Sequence, residues 1–377
     1  AGEASGDLHA AELMKEIKQA DKDAQFRYWG GNNMQKEGGT LVRHYKDTAY
    51  MGFITVAMNI KKILANIAYC KRDITEWQPD TLILVDYAGF NLRIAKYISE
   101  NTDIVIQYYI PPKLWAWKEG RIKQIKRFVD KVYCILPFEK DYFKQKHNYT
   151  VTYVGNPTLN EVEHFKQKEA ISKEEFMQKH RLDDRPIIAI LCGSRRQEID
   201  SNLPIMLRSA CKFKDYQVVI AAAPSVEQSF YEKYTNNTCA KIVFSDTYNL
   251  LNNSSVAIVT SGTATLETAI FNVPQVVCYY MSFGWLVNIL RKLFLNVEHI
   301  SLVNLIAEKE VVKELVANKM NEKELYRETQ LIISDQQHKN KILQGYSLMR
   351  ERLGNDDAAK CAAQEIVEHT KSGKANK

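Results

Sequence analysis

Two stretches of this chain place side chains suited to phosphate and sugar recognition at the ends of strand-like runs. In Ser261-Gly262-Thr263-Ala264-Thr265, small residues separate an apolar run, 256–260, from a helical pattern over 266–271. The first N–H groups of a helix lack intrahelical partners and carry the positive end of the helix dipole, so such a turn favours a phosphate-type anion. Gly262 removes the side chain that would hold the anion away. Glu267, one turn further on, could accept hydrogen bonds from a ribose diol; an N-capped helix with no ligand is the alternative. The second stretch is the loop Gly193-Ser194-Arg195, after an apolar run at 186–191. A guanidinium there can bridge two phosphate oxygens, or it can simply pair with Glu198 on the surface.

These groups need a scaffold, and the hydrophobic pattern supplies one. Strand-like runs at 27–29, 81–85, 104–109, 131–136 and 151–155 alternate with helical patterns at 8–18, 54–77 and 92–99 and a basic helix containing Lys118, Arg121, Lys123, Lys126 and Arg127. A polar stretch, 158–185, intervenes. Strand runs resume at 186–191, 217–222, 241–244, 256–260 and 275–280, and residues 308–369 read as helices only. Such alternation predicts doubly wound parallel sheets, in which ligands sit beyond the carboxyl ends of the strands. Asp86, the segment 111–117 and the turn Gly2-Glu3-Ala4-Ser5-Gly6-Asp7 all fall at that edge. No strand run precedes this turn, which points to a first strand missing from the sequence. The expected division is a Rossmann-like domain at 1–157, a second at 158–340 and C-terminal helices at 341–377.

Composition narrows the function classes. A chain of 377 residues exceeds one ordinary core. The formal net charge is +6, with no arginine-rich tail or nucleic-acid motif, which points to an anionic small substrate or a membrane surface. The seven cysteines show no C-x-x-C spacing and read as reduced residues of a cytosolic protein. No apolar run approaches eighteen residues, so a span is not expected. No His/Cys/Asp cluster has metal spacing, and no cofactor is expected. Two stretches mix apolar and basic residues as a membrane-surface element would: Met51, Gly52, Phe53, Ile54, Val56 and Ile60 to Leu64 with Lys61 and Lys62, and 285–294, from Trp285 to Phe294. A helix packed on a core or a partner is the alternative for both.

Five motifs occur in register: Gly2 to Asp7, Trp115-Ala116-Trp117, Tyr153-Val154-Gly155-Asn156-Pro157, Gly193-Ser194-Arg195 with Glu198, and Ser261 to Glu267. Together they resemble the lipid-A-disaccharide synthases, glycosyltransferases of Gram-negative lipid A assembly, over essentially the whole chain. The resemblance implies the α/β GT-B plan, two Rossmann-like domains facing across a cleft. It implies inverting, metal-independent transfer of 2,3-diacylglucosamine from UDP to the 6-hydroxyl of 2,3-diacylglucosamine 1-phosphate, giving a β-1,6 disaccharide. It also implies peripheral residence on the cytoplasmic face of the inner membrane, and a homodimer is possible within it.

An inverting transfer needs a base, and Asp86 matches the aspartate of the family's V-D-x-P-x-F-N stretch. Glu3, Asp7 and His9 are the other candidates; Asp86 could instead cap the following helix, and His9 could face solvent. Gly193 to Arg195, Ser261 to Thr265 and Glu267 are expected to hold the UDP-sugar. Gly2, Ser5, Gly6, Asn91, Trp115, Trp117 and Asn156 are expected on the acceptor side. The chain departs from the family pattern at Thr55, Ala88, Pro111, Val303 and Ala317. A different UDP-sugar enzyme of the same plan is the runner-up, either the peptidoglycan N-acetylglucosaminyltransferase or a UDP-sugar 2-epimerase. The former's glycine-rich G-G-T-G-G-H loop is absent from Gly2 to Asp7. A non-catalytic nucleotide-sugar or lipid-binding relative is the third reading.

Overall fold

A computed structural model describes residues 1–47, 60–236, 238–279 and 299–375. The apolar–basic stretches therefore lie outside the described residues, except for 60–64, and so does Thr55. The chain forms two compact units, Ala1–Pro157 with Asn355–Lys377, and Thr158–Gly354.

The second unit carries a six-stranded, all-parallel sheet of β7 (Ile187–Leu191), β8 (Gln217–Ala222), β9 (Ala240–Phe244), β10 (Ser254–Thr260), β11 (Gln275–Tyr279) and β12 (Lys313–Val316). Its order, β9-β8-β7-β10-β11-β12, is the doubly wound 3-2-1-4-5-6 arrangement, with the reversal between β7 and β10. Parallel strands covered on both faces read as continuous apolar runs. Accordingly β7 and β8 are buried throughout, and β10 is buried from Val256 to Thr260. Beta12 lies within the region expected to be helical only, because its four residues, Lys-Glu-Leu-Val, carry too little apolar pattern to stand out.

In the first unit, β3 (Thr81–Val85), β4 (Val105–Tyr109), β5 (Lys131–Cys134) and β6 (Thr152–Tyr153) form a four-stranded parallel sheet. A separate parallel pair joins β1 (Arg27–Gly30) to β2 (Thr40–His44). A cavity of about 870 Å³, lined by β1 residues and by Thr81 to Val85 of β3, lies between the two sheets. The helix Ala4–Ala20 packs on the helix Ala358–Ala375 through Ala10, Met14 and Ile17 against Ala362, Ala363 and Ile366. The C-terminal helical tail is shared between the two units. Gln336–Leu353 belongs to the second unit, and the helix after Gly354 returns to the first, where Thr370 meets Gln107 of β4.

The cysteines are not all reduced. Cys211 and Cys239 form a disulfide between the end of the helix Arg196–Ala210 and the segment before β9. Both lie outside the apolar strand runs, where buried thiols are expected. Cys70, Cys134, Cys192 and Cys278 are free and buried.

Candidate functional site

The ends of β7 and β10 lie side by side, since Leu191 pairs with Val259. Both nucleotide-type loops therefore leave one edge of the second sheet. Asn202 ties them together, donating to the Thr260 hydroxyl at 3.0 Å. In the first loop Gly193 has φ +114, and a Cβ there would stand 2.7 Å from Glu198, so glycine is required. Glu198 folds back to accept the Ser194 N–H at 3.0 Å. Arg195 lies 3.6 Å from Glu198 with its side chain 70% exposed. An exposed pair of that kind contributes little, which leaves the guanidinium able to turn toward an anion.

In the second loop Ser261 is anchored by its N–H on Cys278 and its hydroxyl on the Ile300 carbonyl, 3.0 Å away. Gly262 has φ +153 with open space where a Cβ would project. The helix Thr263–Ile270 starts there with no side-chain cap, and Thr265 donates its hydroxyl back to the Gly262 carbonyl. Glu267 is partly buried on that helix, with the Tyr248 hydroxyl 3.5 Å from its carboxylate. Burial pushes its carboxyl up to about 7, the charge of Glu161 acts in the same direction, and the Tyr248 hydroxyl opposes both.

In the first unit, β3 runs into two successive left-handed residues, Asp86 (φ 47) and Tyr87 (φ 42). Such backbone costs on the order of 1–3 kcal/mol per residue and persists where surrounding groups enforce it. Here the Tyr108 hydroxyl (2.6 Å) and the Asn91 amide (2.7 Å) both donate to the Asp86 carbonyl, and Asn91 also reaches the Val85 carbonyl. Asn91 therefore shapes the turn that presents Asp86. Burial raises the Asp86 carboxyl above its usual range, opposed by the Tyr87 N–H and by Lys113. Tyr87 also explains Gly2, where a Cβ would enter the Tyr87 ring at 2.3 Å.

The other expected site residues separate by environment. Asp7 is 2% exposed, and its carboxylate accepts backbone N–H bonds from Gly31, Asn33 and Met34 at 2.6, 3.0 and 3.2 Å. It caps the helix Asn32–Lys36 across the fold. Glu3 sits at the N-cap of the helix Ala4–Ala20, where Ser5 is exposed and Gly6 buried. His9 is partly buried. Its Nδ1 is buried without a partner among the described residues, and burial holds the imidazole down at about 4. Asn156 is buried and donates to the Ile135 carbonyl. Trp115 and Trp117 part company. Trp115 is buried, edge-on to Phe138, whereas Trp117 is 54% exposed under Lys118 and Arg121.

Three groups escaped the sequence reading. Glu139 is buried, accepts the Trp115 indole N–H at 3.0 Å, and is pushed by burial up to about 7. Its position in the first turn after Pro137 was the available signal, because a glutamate there reaches back to the N-cap N–H. Glu161 and Tyr248 join Glu267, and neither sits in a motif. Among the described residues no three His, Cys, Asp or Glu side chains gather as a metal site would require.

Two doubly wound α/β units, each with its turns at the carboxyl edge of a parallel sheet, define a GT-B protein. The fold recurs in a Staphylococcus aureus MnaA–UDP co-structure (TM-score 0.65, 13% identity, 98% of this chain and 94% of that one). It recurs also in a Neisseria meningitidis UDP-GlcNAc 2-epimerase bound to UDP-GlcNAc (TM-score 0.64, 12% identity, 98% of each chain). At such identities the likeness shows the fold alone. The family is shown by sequence. The lipid-A-disaccharide synthetase family model matches residues 1–366, and the chain belongs to that family. The lipid-A-disaccharide synthase of Myxococcus xanthus is 33% identical, covering 98% of this chain and 96% of that protein. That of Solibacter usitatus is 30% identical with the same coverage. The protein is a glycosyltransferase of lipid A disaccharide synthesis.

Proposed function

We propose that the chain joins UDP-2,3-diacylglucosamine to 2,3-diacylglucosamine 1-phosphate with inversion, releasing UDP and a β-1,6-linked disaccharide 1-phosphate. The acceptor's 6-oxygen forms the new bond to the donor's anomeric carbon. The bond from that carbon to the UDP oxygen breaks, its electron pair leaves with UDP, and the acceptor proton passes to Asp86. An ionised carboxylate suits this role, and Asp86 follows directly on the last residue of β3 in a strained turn. On the second unit, Arg195 and the amino end of the helix Thr263–Ile270 offset the charge gathering on the departing diphosphate. They supply the positive charge that a metal ion supplies in other transferases, so the reading requires no metal. Glu267 receives the ribose diol.

The observation that carries the reading is the β10 turn: an open, left-handed glycine at a helix start, with a half-hidden carboxylate one turn on. Two neighbours of the same fold hold UDP and UDP-GlcNAc, which supports a nucleotide-sugar donor. Residence on the inner-membrane surface is supported by Ile60 and Leu64, 45% and 53% exposed beside exposed Lys61 and Lys62. No helix among the described residues is long and apolar enough to cross a membrane. Glu267→Ala is expected to weaken UDP binding by about 1–3 kcal/mol, the loss usual for a buried hydrogen-bonding group. Unchanged affinity by calorimetry would remove the donor assignment.

A further inference from the structure

Glu267 does not stand alone. Tyr248, on the helix Thr247–Asn252, places its hydroxyl between the carboxylates of Glu267 and Glu161, the latter on the helix Pro157–Lys168. The phenol ring is held in place. Phe165 meets it edge-on at 5.2 Å, and Phe271, just past the helix Thr263–Ile270, lies 5.4 Å from it.

This arrangement has a donor deficit. A phenol donates one hydrogen bond, and an ionised carboxylate donates none. With both glutamates ionised, one of them faces a like charge without the phenol's proton. The neighbouring cations are committed elsewhere. Lys166 bonds the Ile270 carbonyl and lies 3.6 Å from Glu163, and Arg350 pairs with Glu163 and the same carbonyl. Glu169 adds negative charge on the Glu161 side. The inexpensive solution is one extra proton held in the cluster. A ribose diol changes the count, because its two adjacent hydroxyls give Glu267 two donors at once.

We propose that Glu161 is a positioning residue which, through the Tyr248 phenol, makes the empty donor site hold a proton that is expelled to solvent when Glu267 captures the ribose diol. Nucleotide capture is then pH-linked at a point remote from the reacting atoms. This rests on Glu267 being the ribose acceptor. Burial and the two partners act on Glu267 with known signs. Glu161 raises its carboxyl, and the Tyr248 hydroxyl lowers it.

The test is UDP affinity by calorimetry from pH 5.5 to 8.5 on the whole chain and three variants. The nucleotide's own titration is common to all four proteins and drops out of the differences. Wild-type affinity should fall about tenfold per pH unit on the acid side of the cluster's midpoint, as linkage to one proton requires. Glu161→Gln should move that midpoint down by about half a unit or more, and Tyr248→Phe should move it up. Both should match wild type within about twofold on the alkaline side for Glu161→Gln, and at pH 8.5 for Tyr248→Phe. Damage to structure would instead weaken binding in parallel at every pH. Parallel losses, or an unmoved midpoint in both variants, would overturn the proposal while leaving the ribose role intact. If Glu267→Gln leaves affinity and its pH profile unchanged, or wild type binds no UDP, the ribose reading itself fails.

Discussion

Replacing Asp7 separates a chemical role from a structural one. Among the described residues its carboxylate caps the start of the short helix Asn32–Lys36, whose N-cap, Gly31, offers no side chain. Asp7→Ala leaves the Gly31 and Met34 N–H groups buried without that acceptor, while the Asn33 N–H is only partly buried and can turn to water. Each buried orphan costs roughly 1–3 kcal/mol, so about 2–4 kcal/mol is expected after partial relaxation. Asp7→Asn keeps one acceptor oxygen but turns an NH2 toward a donor, and about half that loss is expected. Urea unfolding followed by tryptophan fluorescence reads this directly, because Trp29, Trp77, Trp115 and Trp117 all belong to the first unit. With a slope near 2 kcal/mol per molar urea, the alanine midpoint should drop by about 1–2 M. Turnover of the folded variant should stay within a few-fold. An unchanged midpoint with turnover reduced a hundredfold would refute the reasoning and make Asp7 a chemical participant.

Two further outcomes are expected. Burial raises the Glu139 carboxyl from 4.5 to about 7, so the folded state binds its proton more tightly than the unfolded one. Stability from this group is therefore full below about 4.5 and is lost as pH rises to about 7, by roughly 3 kcal/mol at most. Glu139→Gln should flatten that part of the pH–stability curve, and a Glu139→Gln curve parallel to wild type would contradict it. The chain should also float with anionic vesicles and be released by salt, because Ile60 and Leu64 stand exposed beside Lys61 and Lys62 and screening weakens lysine–phosphate attraction. Binding indifferent to salt and lipid charge would count against that surface.

Local signals were readable from the sequence and long-range ones were not. The β10 turn could be placed because an apolar run, a glycine and a helical pattern follow one another within 256–271. Beta2 and β12 escaped because strands of five and four residues with mixed polarity leave no period to detect. Asp7 looked like a possible base because its partners lie 24 to 27 residues away, a distance no local pattern spans. The Cys211–Cys239 bond, 28 residues apart, was invisible for the same reason. Trp115 and Trp117 form one motif, yet only the fold shows that Glu139 holds the first inside while the second meets solvent. Asp86 was placed correctly at its strand end, but its left-handed backbone and its enforcement by Tyr108 and Asn91 needed the third dimension.

The central claim is that Asp86 takes the acceptor's proton, and Asp86→Asn tests it most directly. Asparagine keeps the shape and the capping ability of aspartate and lacks its basicity. Release of UDP from the diacylated donor, with acceptor present, should slow by roughly a hundredfold to ten-thousandfold, the range for a lost acid–base group. UDP affinity and melting temperature should change little. A stable Asp86→Asn protein that keeps its turnover within a few-fold of wild type would contradict the account and pass the role to Glu3.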